Sequence, residues 1–261
     1  MTQFINRSSA PLFFPSARCV AFVATVLFVS CFSWSQLLVA ADATVTHSFL
    51  GVGKANRAVI VDEKGAITWK FDMPASDGWV LPNGHVLLAL YPTKGFPGGG
   101  VVEVDRTTKK VVFQYKSQQK EVSTVQPLPG GRYLVAELGP MPRAVVLNSK
   151  GKVVKTTPLE CQKNNFHMQT RMLRMLPNGN YLAPHLLDFA VKEYDASTGK
   201  VVRSFATDDR GRPKRDWPFT AIRLGNGNTL IACTNGNRII EVDAKGKILW
   251  SVTNEDLGER L

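Results

Sequence analysis

Short hydrophobic runs separated by polar turn sequences recur along this chain from about residue 45 to residue 252. A turn signal of the form Leu-Pro-Asn-Gly, with small variations, returns every 47 or 48 residues. It lies at residues 81–84, 128–131, 176–179 and 224–227. Asn-Gly between hydrophobic runs is typical of a β-hairpin, because both turn residues tolerate positive φ. The pattern therefore predicts one hairpin at the same place in each repeat.

A second turn recurs in the same repeats, where Asp or Asn ends one β-rich run and, in four of the five cases, Gly closes the turn before the next run. It begins at Asp62, Asp105, Asn148, Asp195 and Asp243. Each repeat therefore predicts four short antiparallel strands, except that the first repeat lacks the innermost one. This gives 19 strands and no helix. A β-sandwich would give no reason for so regular a repeat, whereas four strands in about 40 to 50 residues are typical of a β-propeller blade.

The fold class predicted is all-β, a propeller of about five four-stranded blades spanning residues 45–252, followed by a tail at 253–261. The tail carries four charged side chains and a Gly, which makes it a poor replacement for the missing inner strand. We therefore expect a ring that does not close in the usual way. Two explanations stay open: an open ring capped by the tail, or the front part of a longer six- to eight-bladed protein, which we favour.

The first 41 residues have the pattern of a secretory signal peptide rather than of a blade. Arg7 and Arg18 precede a hydrophobic run, and Val39-Ala40-Ala41 offers small residues before a cleavage point after Ala41. A membrane anchor is the main alternative, although Ser and Gln interrupt the hydrophobic stretch; a lipoprotein site at Cys31 is weaker. We expect an exported protein, periplasmic or secreted, with no stable membrane span after cleavage.

Charge and cysteine content narrow the partners of the exported chain only slightly. The net charge of +11 falls to +9 without the leader, and the positive residues are scattered, so we expect a solvated basic surface and no nucleic-acid partner. An anionic glycan or a protein stays open as a partner. Export would permit a disulfide, but Cys161 and Cys233 fall in different repeats without a framework spacing, so we do not expect one.

The repeat sequence resembles that of one known superfamily. Leu-Pro-Asn-Gly-Asn at 176–180, together with Arg-Ile-Ile-Glu-Val-Asp-Ala-Lys-Gly-Lys-Ile-Leu-Trp at 238–250, is similar to the quinoprotein-like (PQQ-binding-like) propellers and to the related arylsulfotransferase-type propellers. The resemblance covers residues 45 to 252. It implies the propeller fold, but the superfamily includes dehydrogenases, sulfotransferases and scaffolds without activity. Adjacent cysteines, which the family's quinone enzymes often carry, are absent, so we expect no cofactor; PQQ is suggested by the resemblance alone.

Topology places both recurring turns on one side of the propeller, and the less regular joins and inter-blade linkers on the other. Variable loops on a rigid repeat scaffold are where binding normally takes place. Polar and aromatic side chains expected on that side are the candidate ligand-binding residues: Glu137, His167, Gln169, Arg171, His185, Trp217, Asn235 and Arg238.

No catalytic, nucleotide-binding or metal-binding sequence motif is present. We therefore predict an exported binding or scaffold protein that binds a small molecule, a glycan or a protein through its variable side. The alternative is an arylsulfotransferase-like or other propeller enzyme that uses His167, Arg171 or His185, with a histidine as acid or base.

Overall fold

The structure is a computed structural model that describes residues 46–55, 57–162, 164–211 and 216–258. The predicted signal peptide, residues 1–41, lies outside the described residues, as do 212–215 of the basic stretch and 259–261 of the tail. These described residues form one compact unit. No helix in the described part of the chain is long and apolar enough to cross a membrane.

In the described residues, nineteen strands form five antiparallel sheets, so the prediction of a five-bladed β-propeller is confirmed. Blade 1 contains β1 (Phe49–Gly53), β2 (Arg57–Val61) and β3 (Ile67–Phe71). Blade 2 contains β4 (Ala75–Val80), β5 (Val86–Leu90), β6 (Gly100–Val104) and β7 (Val111–Lys116). Blade 3 contains β8 (Glu121–Leu128), β9 (Arg132–Leu138), β10 (Arg143–Leu147) and β11 (Val153–Pro158). Blade 4 contains β12 (Arg174–Met175), β13 (Tyr181–His185), β14 (Ala190–Tyr194) and β15 (Val201–Ala206). Blade 5 contains β16 (Trp217–Arg223), β17 (Thr229–Thr234), β18 (Arg238–Val242) and β19 (Ile248–Thr253).

The strands of each sheet follow one another in chain order. The two recurring turns therefore lie on one side of the propeller, called here the turn side. The joins between the second and third strands of each blade, and the linkers between blades, lie on the opposite side, called here the variable side. The inner strands β4, β8, β12 and β16 begin on the variable side.

The first recurring turn forms where it was predicted, but its geometry differs from the prediction in one respect. Gly84, Gly179 and Gly227 have positive φ, whereas the Asn before each of them does not. Gly179 donates its N–H to the carbonyl of Leu176, and Asn178 Oδ1 accepts the N–H of Asn180 at 3.0 Å. The loop is thus a type I-like turn followed by a left-handed Gly, in which Asn contributes its side chain rather than positive φ.

In the part of the chain that the structure describes, four hydrophobic clusters fill the spaces between successive blades, because alternate residues of each strand point to opposite faces of its sheet. We call the face that packs on the following blade the forward face, and the other the backward face. Between blades 2 and 3, for example, Leu87 and Val101 of the forward face pack with Val135 and Val145 of the backward face. The remaining three clusters join blades 1 and 2, blades 3 and 4, and blades 4 and 5.

Blade 4 departs from the regular pattern at its inner strand. The inner strand β8 of blade 3 has eight residues, whereas β12 contains only Arg174 and Met175. A 3₁₀ turn at Phe166–Met168 and a positive φ at Met172 precede it, and both take the backbone out of the extended conformation. The side chains of this irregular segment reach positions that a straight strand would not give them.

The described residues show no strand pairing between blade 1 and blade 5. β1 pairs with β2, and β19 pairs with β18, so neither joins the other's sheet. Thr253 to Gly258 therefore do not supply the missing inner strand of blade 1, as expected from their sequence. Cys161 and Cys233 are not joined by a disulfide.

Candidate functional site

Four consecutive blades bring polar side chains together where the inner strands begin on the variable side. At the centre of this group, Glu121 begins β8 and is buried beneath His167 and Arg171 of the linker to blade 4. His167 Nδ1 lies 2.9 Å from Glu121 Oε2, and Arg171 Nη1 lies 3.2 Å from Glu121 Oε1. The carboxylate is therefore shared between an imidazole and a guanidinium.

The ring of His167 is oriented through a single nitrogen. Nδ1 faces Glu121, and Arg171 Nη2 lies 2.8 Å from the same nitrogen. When Nδ1 carries a proton it donates to Glu121, and when it does not it accepts from Arg171, so this nitrogen is occupied in either tautomer. Within the described residues Nε2 makes no hydrogen bond, and the side chain is 41% exposed. His167 therefore offers Nε2 to a molecule arriving from solvent.

Blades 1 and 2 complete the group with a lysine and a tyrosine. The ring of Tyr91, which follows β5, lies 6.2 Å from the ring of His167. Lys54, in the turn between β1 and β2, places its Nζ 5.7 Å from the centre of the Tyr91 ring. Burial raises the pKa of Tyr91, so its hydroxyl stays protonated and can donate a hydrogen bond. We call the group formed by Lys54, Tyr91, Glu121, His167 and Arg171 the channel-mouth cluster.

The channel-mouth cluster has an excess of positive charge and of donors. Two cations, Lys54 and Arg171, face one carboxylate, and Arg171 is almost fully buried while Lys54 is exposed. An anion at the mouth would meet an ammonium, a phenolic O–H and an imidazole N–H without displacing the ion pair beneath. Charged groups of this kind recognise carboxylates, sulfates and phosphates.

Paired side chains also connect the inner strands of three blades. Asp77 of β4 accepts from Arg174 of β12 at 2.9 Å and from the N–H of Val125 at 3.1 Å, so one carboxylate links the inner strands of blades 2, 3 and 4. Burial raises the pKa of Asp77, although Arg174 opposes this. Arg174 also stacks on Trp79 at 5.3 Å.

Three of the candidate residues are buried and hold the blades in place. Glu137 accepts hydrogen bonds from Tyr115 at 2.8 Å, from the N–H of Gln118 at 3.0 Å and from Arg143 at 2.7 Å. Gln169 donates to and accepts from the backbone of Gly139. His185 lies between the carbonyl of Gln169 at 2.9 Å and the hydroxyl of Tyr194 at 2.8 Å.

These three side chains are at most 1% exposed, so their polar atoms are used inside the fold. Burial lowers the pKa of His185 to about 4, which keeps its ring neutral at neutral pH. The structure therefore divides these candidate binding residues into two groups. His167 is accessible, with Arg171 behind it, whereas the other three are buried.

The candidate residues of blade 5 lie at the same side but apart from the contacts of the channel-mouth cluster. Arg238 is nearly buried and pairs with Asp209 at 2.6 Å. Asn235 is exposed in the join between β17 and β18 and has a φ of 56°. Trp217 begins β16 and is partly buried, and its Nε1 makes no hydrogen bond in the described part of the chain.

The prediction from sequence did not include Lys54, Tyr91 or Glu121 among the binding residues. Glu121 had a usable signal, because it occupies the same register position before the hairpin turn as Gln169 and Trp217. Lys54 and Tyr91 had none, since they come from different repeats and meet only in the folded ring. Nowhere in the described residues are three His, Cys, Asp or Glu side chains grouped as a metal site requires.

No protein-family model and no curated protein sequence matches this chain. Solved structures do match. A protein of unknown function from Bacteroides caccae has a TM-score of 0.68 at 22% identity, over 81% of this chain and 74% of that one. A catalytically inactive histidine-to-alanine variant of virginiamycin B lyase from Staphylococcus aureus, solved with quinupristin, has a TM-score of 0.56 at 14% identity, over 80% and 70%. The WD40 propeller domain of Doa1 has a TM-score of 0.54 at 12% identity, over 72% and 58%. At these identities the likeness shows the β-propeller fold alone.

Proposed function

We propose that this β-propeller is an exported binding protein that takes an anionic ligand, such as a carboxylated or sulfated glycan, at the channel-mouth cluster. The observation that carries the proposal is the convergence of four blades on one accessible point, where Lys54, Tyr91 and the partly exposed ring of His167 lie side by side. Arg171 is held behind them by Glu121 and supplies a fixed positive charge.

The burial of the other candidates supports binding over catalysis. A propeller enzyme would be expected to hold several accessible acid–base groups around the channel. Here His185 and Glu137 are inaccessible, and Asp77 is paired with Arg174. The exposed Lys54 and the partly exposed imidazole of His167 are suited to binding a negatively charged group of a ligand.

A glycan-binding experiment with two matched lysine variants tests the proposal. Lys54→Glu changes the turn of blade 1 on the variable side, whereas Lys64→Glu changes the other turn of the same blade on the turn side. We expect Lys54→Glu and His167→Ala to weaken binding of a heparin or oligogalacturonate fragment by about tenfold each, which corresponds to about 1.4 kcal/mol. Lys64→Glu should bind as wild type does. Equal losses in the two lysine variants would mean that only the net positive charge matters, and no loss in either would refute the site.

The geometry of His167 favours one second candidate, an enzyme that uses this residue as acid or base. A carboxylate that holds Nδ1 of an imidazole while Nε2 faces solvent is the arrangement of a general base. A propeller with the same fold, virginiamycin B lyase, is described as inactive when one histidine is replaced by alanine. Incubation with quinupristin distinguishes the two. Turnover that is lost in His167→Ala would favour the enzyme, and unchanged quinupristin would leave binding as the function.

A further inference from the structure

The carboxylate of Glu121 determines which form of the His167 ring the fold favours. His167 Nδ1 lies 3.0 Å from Glu121 Oε1 and 2.9 Å from Glu121 Oε2, so both carboxylate oxygens face one ring nitrogen. A proton on Nδ1 is donated to these oxygens, whereas a lone pair there would face two atoms that carry negative charge. Glu121 therefore favours the neutral ring in which Nδ1 carries the proton.

The guanidinium of Arg171 is compatible with this form of the ring. Arg171 Nη2 lies 2.8 Å from His167 Nδ1 and would donate to a lone pair there. Arg171 has other acceptors, however, because its Nη1 donates to the carbonyl of Thr170 at 3.1 Å and lies 3.2 Å from Glu121 Oε1. The guanidinium thus keeps two acceptors when Nδ1 of the ring carries a proton.

A neutral ring of this form presents an acceptor to solvent and not a donor. With the proton on Nδ1, the Nε2 atom of His167 carries the lone pair, and an anionic oxygen of a ligand would be opposed to it. A second proton converts Nε2 into an N–H donor and gives the ring a positive charge, and both changes favour an anion. A bound anion and the second proton therefore stabilise each other at this nitrogen.

The charged and titratable groups around the ring fit such a coupling. Arg171 and Glu121 form the ion pair beneath His167, the ring of Tyr91 lies 6.2 Å away, and Lys54 lies over Tyr91. Without a ligand, the two cations oppose a further positive charge on the ring, while Glu121 favours it. An anion at the mouth changes this balance because it adds a second negative charge beside the imidazole.

We propose that the channel-mouth cluster binds its anionic ligand together with one proton, which His167 takes up because Glu121 holds the N–H of Nδ1. The inference rests on the proposed function and adds the regulation of the same site, namely capture in mildly acidic surroundings and release as the pH rises. Glu121 is then a positioning residue, because it is buried and acts on the ligand through His167. Since histidines ordinarily titrate at about pH 6.5, the ligand should bind about tenfold more tightly at about pH 6 than at about pH 8.

Isothermal titration calorimetry with a heparin fragment tests the proposal, because the sulfates and carboxylates of heparin stay ionised over this pH range. Titrations in buffers of different ionisation enthalpy give the number of protons taken up per ligand. We expect wild type to take up about half a proton or more at neutral pH and to lose affinity about tenfold from about pH 6 to about pH 8. His167→Gln, at a partly exposed position, should show neither effect.

Two further variants separate the role of Glu121 from general effects of pH. In Glu121→Gln the amide can donate to a lone pair on Nδ1, which favours the neutral ring with a proton on Nε2, so the pH dependence should shrink while binding remains. His85→Asn is the matched control, because Asn180 and Asn228 occupy its place in blades 4 and 5 and donate to the corresponding glutamates. This control should keep the pH dependence of wild type. Circular dichroism shows whether each variant has folded.

The outcomes of these titrations distinguish the inference from the proposed function. Binding with the same affinity from about pH 6 to about pH 8 would overturn the inference and leave the proposed function intact, with a neutral ring that already carries a proton on Nε2. A pH dependence that persists in His167→Gln would overturn the inference as well, because another group would then take up the proton. Absence of binding at every pH would overturn both.

Discussion

Replacement of Gly179 by valine isolates the contribution of a recurring turn to the stability of a blade. Gly179 has a φ of 85°, and a Cβ at this position would meet no atom within 4 Å, so the cost comes from the backbone conformation and not from a clash. A left-handed conformation costs an ordinary residue about 1–2 kcal/mol, and a β-branched residue is among the least tolerant. In a domain of this size that loss lowers the melting temperature by about 2–8 °C.

Gly225→Val is the matched control, because Gly225 is in the corresponding turn of the next blade and its Cβ would also meet nothing within 4 Å. Its φ is not positive, and prolines occupy its place in the other turns. We expect Gly225→Val to unfold close to wild type in urea, while Gly179→Val unfolds earlier. Equal midpoints for the two variants would refute the reasoning that positive φ is what this turn requires.

Three further results are expected. Burial lowers the pKa of His185 to about 4 from an ordinary value of 6.5, so the unfolded chain binds this proton at a higher pH than the folded chain does. The free energy of unfolding should therefore fall as the pH drops from 6.5 to 4. His185→Gln should remove this part of the pH dependence when urea unfolding is measured at each pH. Glu137→Gln should cost about 2 kcal/mol or more in chemical denaturation, since it leaves Arg143 without its carboxylate; unchanged stability would contradict this. Mass spectrometry of the exported protein should find a mature N-terminus near Asp42, and an intact leader on membrane-bound protein would favour the anchor instead.

The repeat made the fold predictable to a degree that the site was not. Turn residues at a fixed spacing specify strand number directly, and the count of 19 strands followed from them. The short inner strand of blade 4 has no signal in the sequence, because methionine normally avoids the positive φ that Met172 adopts just before β12. Local sequence thus predicts the hairpins. It does not predict the irregular segment before β12, whose conformation depends on contacts with the neighbouring blades.

The polar residues of the variable side were harder to interpret because their partners come from other parts of the chain. Gln169 bonds to Gly139, 30 residues away, and Glu121 pairs with His167 across 46 residues. Sequence register shows that such side chains point toward one side of the propeller. It does not show which of them the neighbouring backbone will use, and burial decides whether a residue is available to a ligand.

A crystal structure of the protein with a bound anionic oligosaccharide tests the proposed function most directly. We expect a carboxylate or sulfate of the sugar within hydrogen-bond distance of His167 Nε2, with Lys54 Nζ beside it and the Glu121–Arg171 pair unchanged beneath. A sugar bound on the turn side, or on the exposed face of blade 5 with the channel mouth empty, would contradict the assignment of the channel-mouth cluster as the binding site.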